Sequence, residues 1–351
     1  MYYFIFALPL IVTAITVYFK KKFDLKEAAI QMGASWIIGL TVILLGSMMA
    51  TSDYEIWNGK VYDKTRVHDY WEESYDCYCT TSSGDNPVTT CQTCYRDHYT
   101  VDWDVKCTVG NVKIKSLDSE YKSVYKKPDP TAYKKAFKGE FCATSHSYTN
   151  YIKAADHSLF NLDNSLDYSE YKVPNYPSVH SYYKVNRVFG FGKINKNLND
   201  ILNNKLRTLG ATKQTNIILI GTTHDEGYRY AVEQKWLGGK KNDVIVLVGI
   251  DGISIDWVDT ITLGSNLGNE LMTVKMHDDI MALKLVSEDI AGVITETITK
   301  HFDRTPMQNF EYLKDDIQPS IWMIILSIIL CIGCNIGIFI YFNKNSRGYR
   351  R

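Results

Sequence analysis

The stretch Ile321-Trp322-Met323-Ile324-Ile325-Leu326-Ser327-Ile328-Ile329-Leu330-Cys331-Ile332-Gly333-Cys334-Asn335-Ile336-Gly337-Ile338-Phe339-Ile340-Tyr341-Phe342 carries no formal charge. It runs into the basic tail Asn343-Lys344-Asn345-Ser346-Arg347-Gly348-Tyr349-Arg350-Arg351. A segment of about 20 apolar residues matches the hydrocarbon thickness of a bilayer. Two further apolar stretches, residues 2–19 and 28–50, open the chain. Three such segments around a long polar middle predict a membrane protein whose functional part lies between about residues 51 and 318.

Orientation follows from the basic residues. Lys20-Lys21-Lys22-Phe23-Asp24-Leu25-Lys26-Glu27 separates the first two stretches, and the arginine-rich tail follows the third. Short Lys/Arg-rich loops stay in the cytoplasm, so three spans place the N-terminus and the polar middle on the opposite side. A cleaved signal peptide is the alternative for the first stretch. It wants a basic start and a small-residue cleavage site. Met1-Tyr2-Tyr3-Phe4 is uncharged and three lysines stand where that site would be, so the stretch reads as a true span.

The formal net charge is zero, so no global field argues for nucleic acid. Six of the eight cysteines lie in the polar middle, as Cys77-Tyr78-Cys79, Cys91-Gln92-Thr93-Cys94, Cys107 and Cys142. Two close pairs across a loop can supply four thiolates to zinc, with His68 or His98 replacing one. Outside the cytoplasm the same thiols oxidise, and six is an even number. Disulfides are the favoured reading and structural zinc the open alternative. Cys77 and Cys79 are too close to bridge each other, so the expected clip joins that pair to Cys91 and Cys94. Residues 57–61 and 99–107 alternate apolar or aromatic with polar residues, which predicts a small stapled β subdomain. Lys122, Lys126, Lys127, Lys134, Lys135 and Lys138 around Pro128 and Pro130 read as a solvated loop. Cys331 and Cys334 read as packing residues of the last span, with Gly333 and Gly337 at a helix contact.

Trp57-Asn58-Gly59, the two cysteine pairs with Tyr95 and His98, Asp102-Trp103, the run His146 to Lys153 and Tyr182-Tyr183-Lys184-Val185-Asn186-Arg187-Val188 resemble a family of uncharacterised membrane proteins of tailed bacteriophages. The resemblance implies a phage-encoded protein in the host's inner membrane with its domain in the periplasm, and it implies no activity. Members often carry further cysteines and an Asp where this chain has Gln92.

From Ile194 the periodicity becomes helical through Ile194, Leu198, Ile201, Leu202, Leu206 and Leu209, with Gly210 as the expected stop. Residues 216–221 predict a buried strand, 225–236 a helix, and 243–250 a second strand. Asp251-Gly252 predicts a two-residue turn into a return strand at 253–257. Val286, Ile290, Val293, Ile294, Ile298 and Phe302 predict a final amphipathic helix. With Trp236, Gly238, Gly239 and Lys240-Lys241-Asn242 before an apolar strand, this order resembles the TPM domain of membrane-anchored proteins. The resemblance implies either an adaptor or a phosphatase or calcium-binding role.

Asp225 and Asp251 are the candidate ligands for Ca²⁺ or Mg²⁺, with Glu226, Asp278 and Asp279 nearby in sequence. Helix capping and turn formation are the favoured account of both. His146, His157 and His180 with Asp156, Asp163 and Asp167 fit no ligand template, and Ser265, His277 and Asp278 form a triad only on paper. No Walker loop, nucleophile elbow or zinc-protease helix motif is present, and Gly190-Phe191-Gly192 is only a pair of glycines.

The expected fold is therefore an α+β membrane protein. It has two transmembrane helices within residues 1–50 and a Cys-rich β subdomain at 51–190. A TPM-like α/β sandwich domain follows at 191–310, and a third transmembrane helix with the basic tail at 319–351. The expected role is an interaction module in the periplasm, acting on a host envelope protein or a phage component. A metal-dependent phosphohydrolase and a structural protein of a membrane-containing virion are the rivals.

Overall fold

The computed structural model describes residues 11, 14, 15, 18, 25–83, 87–155, 168, 170–264, 266–317 and 320–348. Most of the expected first span, with Lys20 to Lys22, lies outside the described residues, as do Asp156, His157, Asp163, Asp167 and Ser265. In chain order the main elements are helix α1 (Leu25–Thr51), strands β1 (Ser52–Thr81), β2 (Thr89–Cys107), β3 (Gly110–Ser119), β4 (Phe141–Thr149) and β5 (Val188–Phe189), and helix α2 (Asn195–Lys213). They continue as β6 (Asn216–Thr222), α3 (Tyr228–Trp236), β7 (Asp243–Asp251), β8 (Ser254–Thr262), α4 (Leu267–Met281), α5 (Asp289–His301) and α6 (Ile321–Gly348). The chain divides into two compact units.

The first unit contains α1, residues 147–163 and the chain from Met307. Two of its helices, Leu25–Thr51 and Ile321–Lys344, are long and apolar enough to cross a membrane, with mean hydropathies of 1.9 and 2.7. They meet along a polar seam. Ser327, Cys331 and Asn335 recur every four residues on α6 and are buried, as are Gln31 and Ser35 on α1. The Asn335 Nδ2 donates to Ser35 Oγ at 2.6 Å and to the Cys331 carbonyl at 2.7 Å. In an apolar medium such interhelical bonds contribute roughly 0.6–2 kcal/mol. Gly333 and Gly337 face open space instead, so the expected glycine contact is corrected to a serine–cysteine–asparagine one. Asn150 donates to Asp53 at 2.9 Å and caps the short helix Tyr151–Ala154 by accepting from Lys153 N.

The second unit holds two four-stranded sheets, ordered β3-β2-β1-β4 and β5-β6-β7-β8. In the first, β1 and β2 pair antiparallel from Val61–Cys107 out to Thr81–Thr89, while β3 accompanies β2 only over Cys107 to Tyr99. Its core gathers Val61, Val101, Trp103, Val105, Cys142 and Tyr182. The second sheet is mixed, with β5, β6 and β7 parallel and β8 antiparallel to β7. Side-chain alternation explains its two covered faces. Ile217, Leu219, Val244 and Val246 pack with α2, α4 and α5, whereas Ile218, Ile220, Ile245 and Leu247 pack with α3. On α2 the residues Leu198, Leu202 and Leu206 are wholly buried, each stabilising the fold by roughly 1.5–3 kcal/mol.

The mixed α+β class matches the sequence reading, with four local corrections. Helix α2 runs past Gly210 to Lys213 and stops at Gln214, whose φ is 51°. A Cβ on Gly210 would lie 2.5 Å from the Asn58 Cβ, so this glycine permits close approach rather than termination. Helix α3 begins at Tyr228, because Asp225 is spent on the preceding turn. Asp251 pairs with Ser254, so the turn residues are Gly252 and Ile253, with positive φ only at Gly252 (62°). Glycine at the first central position is the pattern of a II′ turn. Helix α4 was not anticipated.

Candidate functional site

The four cysteines of the two close pairs are brought together across the β1–β2 hairpin. Cys77 joins Cys94 and Cys79 joins Cys91, and a bridged sulfur is not a thiolate available to zinc. They clip the part of the hairpin that β3 does not reach. Along residues 70–78 every side chain except Cys77 is exposed, including Tyr70, Trp71, Tyr75 and Tyr78. A bare two-stranded ribbon is marginal in water, so the bridges and cross-strand side chains must hold it. Trp71 stacks on His98 at 4.0 Å between ring centroids. The imidazole bonds Asp118 through Nδ1 at 3.0 Å and Glu73 through Nε2 at 3.2 Å. The Asp118 bond first, and Glu73 after it, raise the His98 pKa above its usual value. Residues 69–98 hold six acidic side chains against one arginine, which gives the arm a negative, aromatic surface.

Cys107 and Cys142 were expected to complete the paired or zinc-holding set of six; the structure corrects this, leaving them as adjoining buried free thiols. The hydrogen bond to Cys107, followed by burial, pushes the Cys142 thiol up.

At the base of the unit a buried polar node joins the two sheets. Arg187 is wholly buried and donates Nη2 to Asn58 Oδ1 (2.9 Å), Nη1 to Asn216 Oδ1 (2.6 Å) and Nε to Asn203 Oδ1 (2.7 Å). Asn216 passes the charge on, donating Nδ2 to Asp243 Oδ1 at 2.8 Å. Asp243 also accepts from Tyr176 OH and from Lys240 N. Burial pulls the Arg187 pKa down to about 9 and pushes that of Asp243 up to about 6. Arg187 therefore stays charged at neutral pH. Beside the node, Asn242 donates to the Ile56 carbonyl at 2.8 Å, and the buried Glu55 takes Trp57 Nε1 at 2.8 Å and Arg304 at 2.5 Å. The motifs Trp57-Asn58-Gly59, Asn186-Arg187-Val188 and Lys240-Lys241-Asn242 thus meet in a shared structural joint.

A cleft of about 780 Å³ is lined by α2, residues 183–186, Val188 and Phe189 of β5, and Phe137, Glu140 and Phe141, and it includes the Arg187 partners Asn199 and Asn203. Its α2 wall presents Asn195, Asn199, Asn203 and Arg207, four residues apart, with Lys196, Asp200 and Asn204 alongside. The asparagine oxygens are bound to the protein's own donors. Asn195 Oδ1 accepts from Phe191 N at 2.8 Å, Asn199 Oδ1 from Arg187 N at 2.9 Å, and Asn203 Oδ1 from Arg187 Nε. Because each of those partners can only donate, the amide orientation is dictated by chemistry. Phe137, Phe141, Tyr183 and Phe189 supply apolar lining. The volume is in the range of ligand sites.

The candidate metal ligands are not assembled. Asp225 Oδ1 accepts from Gly227 N at 3.0 Å and from Tyr171 OH at 3.0 Å, and Asp251 ends β7 at the hairpin. His277 and Asp278 bond each other, exposed, on α4. His146 stacks on Trp57 and bonds Thr144 and the Val109 carbonyl, while His180 bonds Ser178. Among the described residues no group of three or more His, Cys, Asp or Glu side chains could hold a metal.

No family model, curated protein or solved structure matches this chain.

Sequence reasoning overlooked Arg187 as a buried charge and the asparagine row. A signal for the row was present. Asn195, Asn199, Asn203 and Arg207 follow the same four-residue period as the buried leucines of α2, displaced along the surface.

Proposed function

We propose that this chain is a membrane-anchored recognition protein that displays its second unit on the far side of the bilayer from the cytoplasm. The observation that carries the reading is the clipped arm. Its two disulfides persist only in an oxidising compartment, and its exposed tyrosines and tryptophan have the composition of an interface rather than of a solvated hairpin. In this reading the protein is phage-encoded and sits in the host's inner membrane, with the arm and the TPM-like α/β domain in the periplasm. There it binds a host envelope protein or a phage component. The motifs shared with the phage family and the order of α2, β6, α3, β7, β8 and α5 support it. The negative arm fits a partner with a basic face.

The test is site-specific photo-cross-linking in cells producing the full-length chain, with the photoreactive residue at Tyr78 or Tyr95. Discrete adducts with envelope or phage proteins are expected. Adducts only with cytosolic proteins, or none at either position, would overturn the reading.

A further inference from the structure

We propose that the cleft along α2 binds an extended polypeptide segment by its main chain; this rests on the recognition reading above and names a class of partner for it. The inference comes from what the asparagine row has left to offer. In Asn195, Asn199 and Asn203 the oxygen is committed to an N–H donor of the protein itself. All three residues are half-buried and line the cleft. The branch of each amide not engaged by those bonds is the Nδ2 group, which donates and cannot accept. A ligand for this wall must therefore carry a row of acceptors.

The spacing of that row follows from helix geometry. Four residues of α-helix rise roughly 6.0 Å, and alternate carbonyls on one side of an extended chain repeat at roughly 6.4–6.8 Å. Over three asparagines the mismatch stays within the swing of a side chain. From Asn195 to Arg207 the wall is roughly 18 Å long, enough for about five or six extended residues. The lining also includes Val188 and Phe189 of β5, the edge strand of its sheet, paired on one side only. An edge strand is the usual place for an added chain to align. Glycan hydroxyl groups also accept, but they cannot align along an edge strand as a polypeptide main chain does. Lys184, Lys196 and Arg207 outnumber Glu140 and Asp200 around the cleft, so acidic segments bind more tightly than basic ones at low salt.

Recognition through the main chain is tolerant of sequence, so a mixed probe is suitable. Full-length protein in nanodiscs is incubated with a pool of random octapeptides, and separately with soluble peptidoglycan glycan strands, and retained ligand is quantified by mass spectrometry. Asn199→Asp keeps the oxygen that Arg187 N needs and replaces the Nδ2 donor by an acceptor. Peptide retention is expected to fall about tenfold for that single change and further for Asn195→Asp combined with Asn203→Asp. Asn197→Ala, whose side chain bonds Glu288 and does not line the cleft, leaves retention unchanged. Should an aspartate variant fail to fold, selective ¹⁵N-asparagine labelling of the wild type reads the same contact. The side-chain amides of residues 195, 199 and 203 shift on adding the peptide pool. No retention of peptides, retention of glycan strands alone, or equal loss with Asn197→Ala would overturn the proposal. Adducts from Tyr78 that persist in the Asn199→Asp variant keep the recognition reading intact, so the two can fail separately.

Discussion

Arg187 shows how one buried cation organises its surroundings without touching a carboxylate. Its donors are met by three asparagine oxygens and the Ile217 carbonyl, and its charge is balanced one residue away, through Asn216, by Asp243. Removing the guanidinium leaves several buried acceptors without donors, at about 1–3 kcal/mol each. Arg187→Met is therefore expected to lower the melting temperature of the detergent-solubilised chain far more than Asn204→Ala does, which differential scanning fluorimetry would show. Asp243 adds a pH dependence. Burial raises its folded pKa from 3.8 to about 6, so the folded state binds the proton more tightly than the unfolded chain. Its contribution is fully present below about pH 4 and is lost as pH rises through 6, a change of roughly 3 kcal/mol. A stability–pH curve should show that step for the wild type and lack it for Asp243→Asn.

At the scale of elements, the arm depends on links between its two strands. The two bridges close nested loops, so opening both frees a loop whose closure contributes about 3 kcal/mol in the chain-entropy model, and opening one costs less. Replacing Cys79 and Cys91 by serine should speed amide exchange at residues 76–93 and leave Val101 to Val105 protected. His98 contributes in the opposite pH sense to an ordinary carboxylate. Its folded pKa is raised by Asp118 and Glu73, so its stabilisation is complete below its unfolded value near 6.5 and disappears as pH rises through the folded value. Exchange at Trp71 and Arg96 should therefore quicken as pH climbs through that value, beyond the intrinsic base-catalysed increase, and His98→Gln should abolish the excess. These elements were unequally legible in the sequence. The buried strands 217–220 and 244–248 declare themselves because both faces are covered, leaving unbroken apolar runs. The arm does not, since a ribbon wet on both faces has no alternation to read. Helix α4 was hidden because exposed Leu271 and Val274 blur the stripe of Met272, Met276 and Ile280. Strand β5 is two residues long and leaves no pattern at all. The asparagine row was overlooked because polar residues on a helix ordinarily signify water, and only the donors behind them reveal which side of each amide is free.

For the molecule as a whole, the two apolar helices were legible because bilayer thickness imposes a length that soluble cores seldom require. The cysteine pairing was legible only as a clip between two pairs, since spacing says nothing about which sulfur lies opposite which. Compartment and chemistry make a joint prediction here. If the second unit folds outside the cytoplasm, Cys77, Cys79, Cys91 and Cys94 are bridged before purification, while Cys107 and Cys142 keep protonated, buried thiols. A thiol that is buried and shifted upward is a poor nucleophile. Intact-mass analysis of membrane-extracted protein treated with iodoacetamide should find residues 107 and 142 unmodified under native conditions and both modified after denaturation without reductant. Cys77, Cys79, Cys91 and Cys94 should react only once reductant is added, with peptide mapping separating them from the free thiols of Cys331 and Cys334. A phosphatase reporter inserted between Ser83 and Pro87 should be active, and a fluorescent protein that matures only in the cytosol should glow when fused after Arg351. The opposite pair of reporter results, with all six thiols free, would place the arm in a reducing compartment, where its bridges could not persist and the recognition reading would lose its main support.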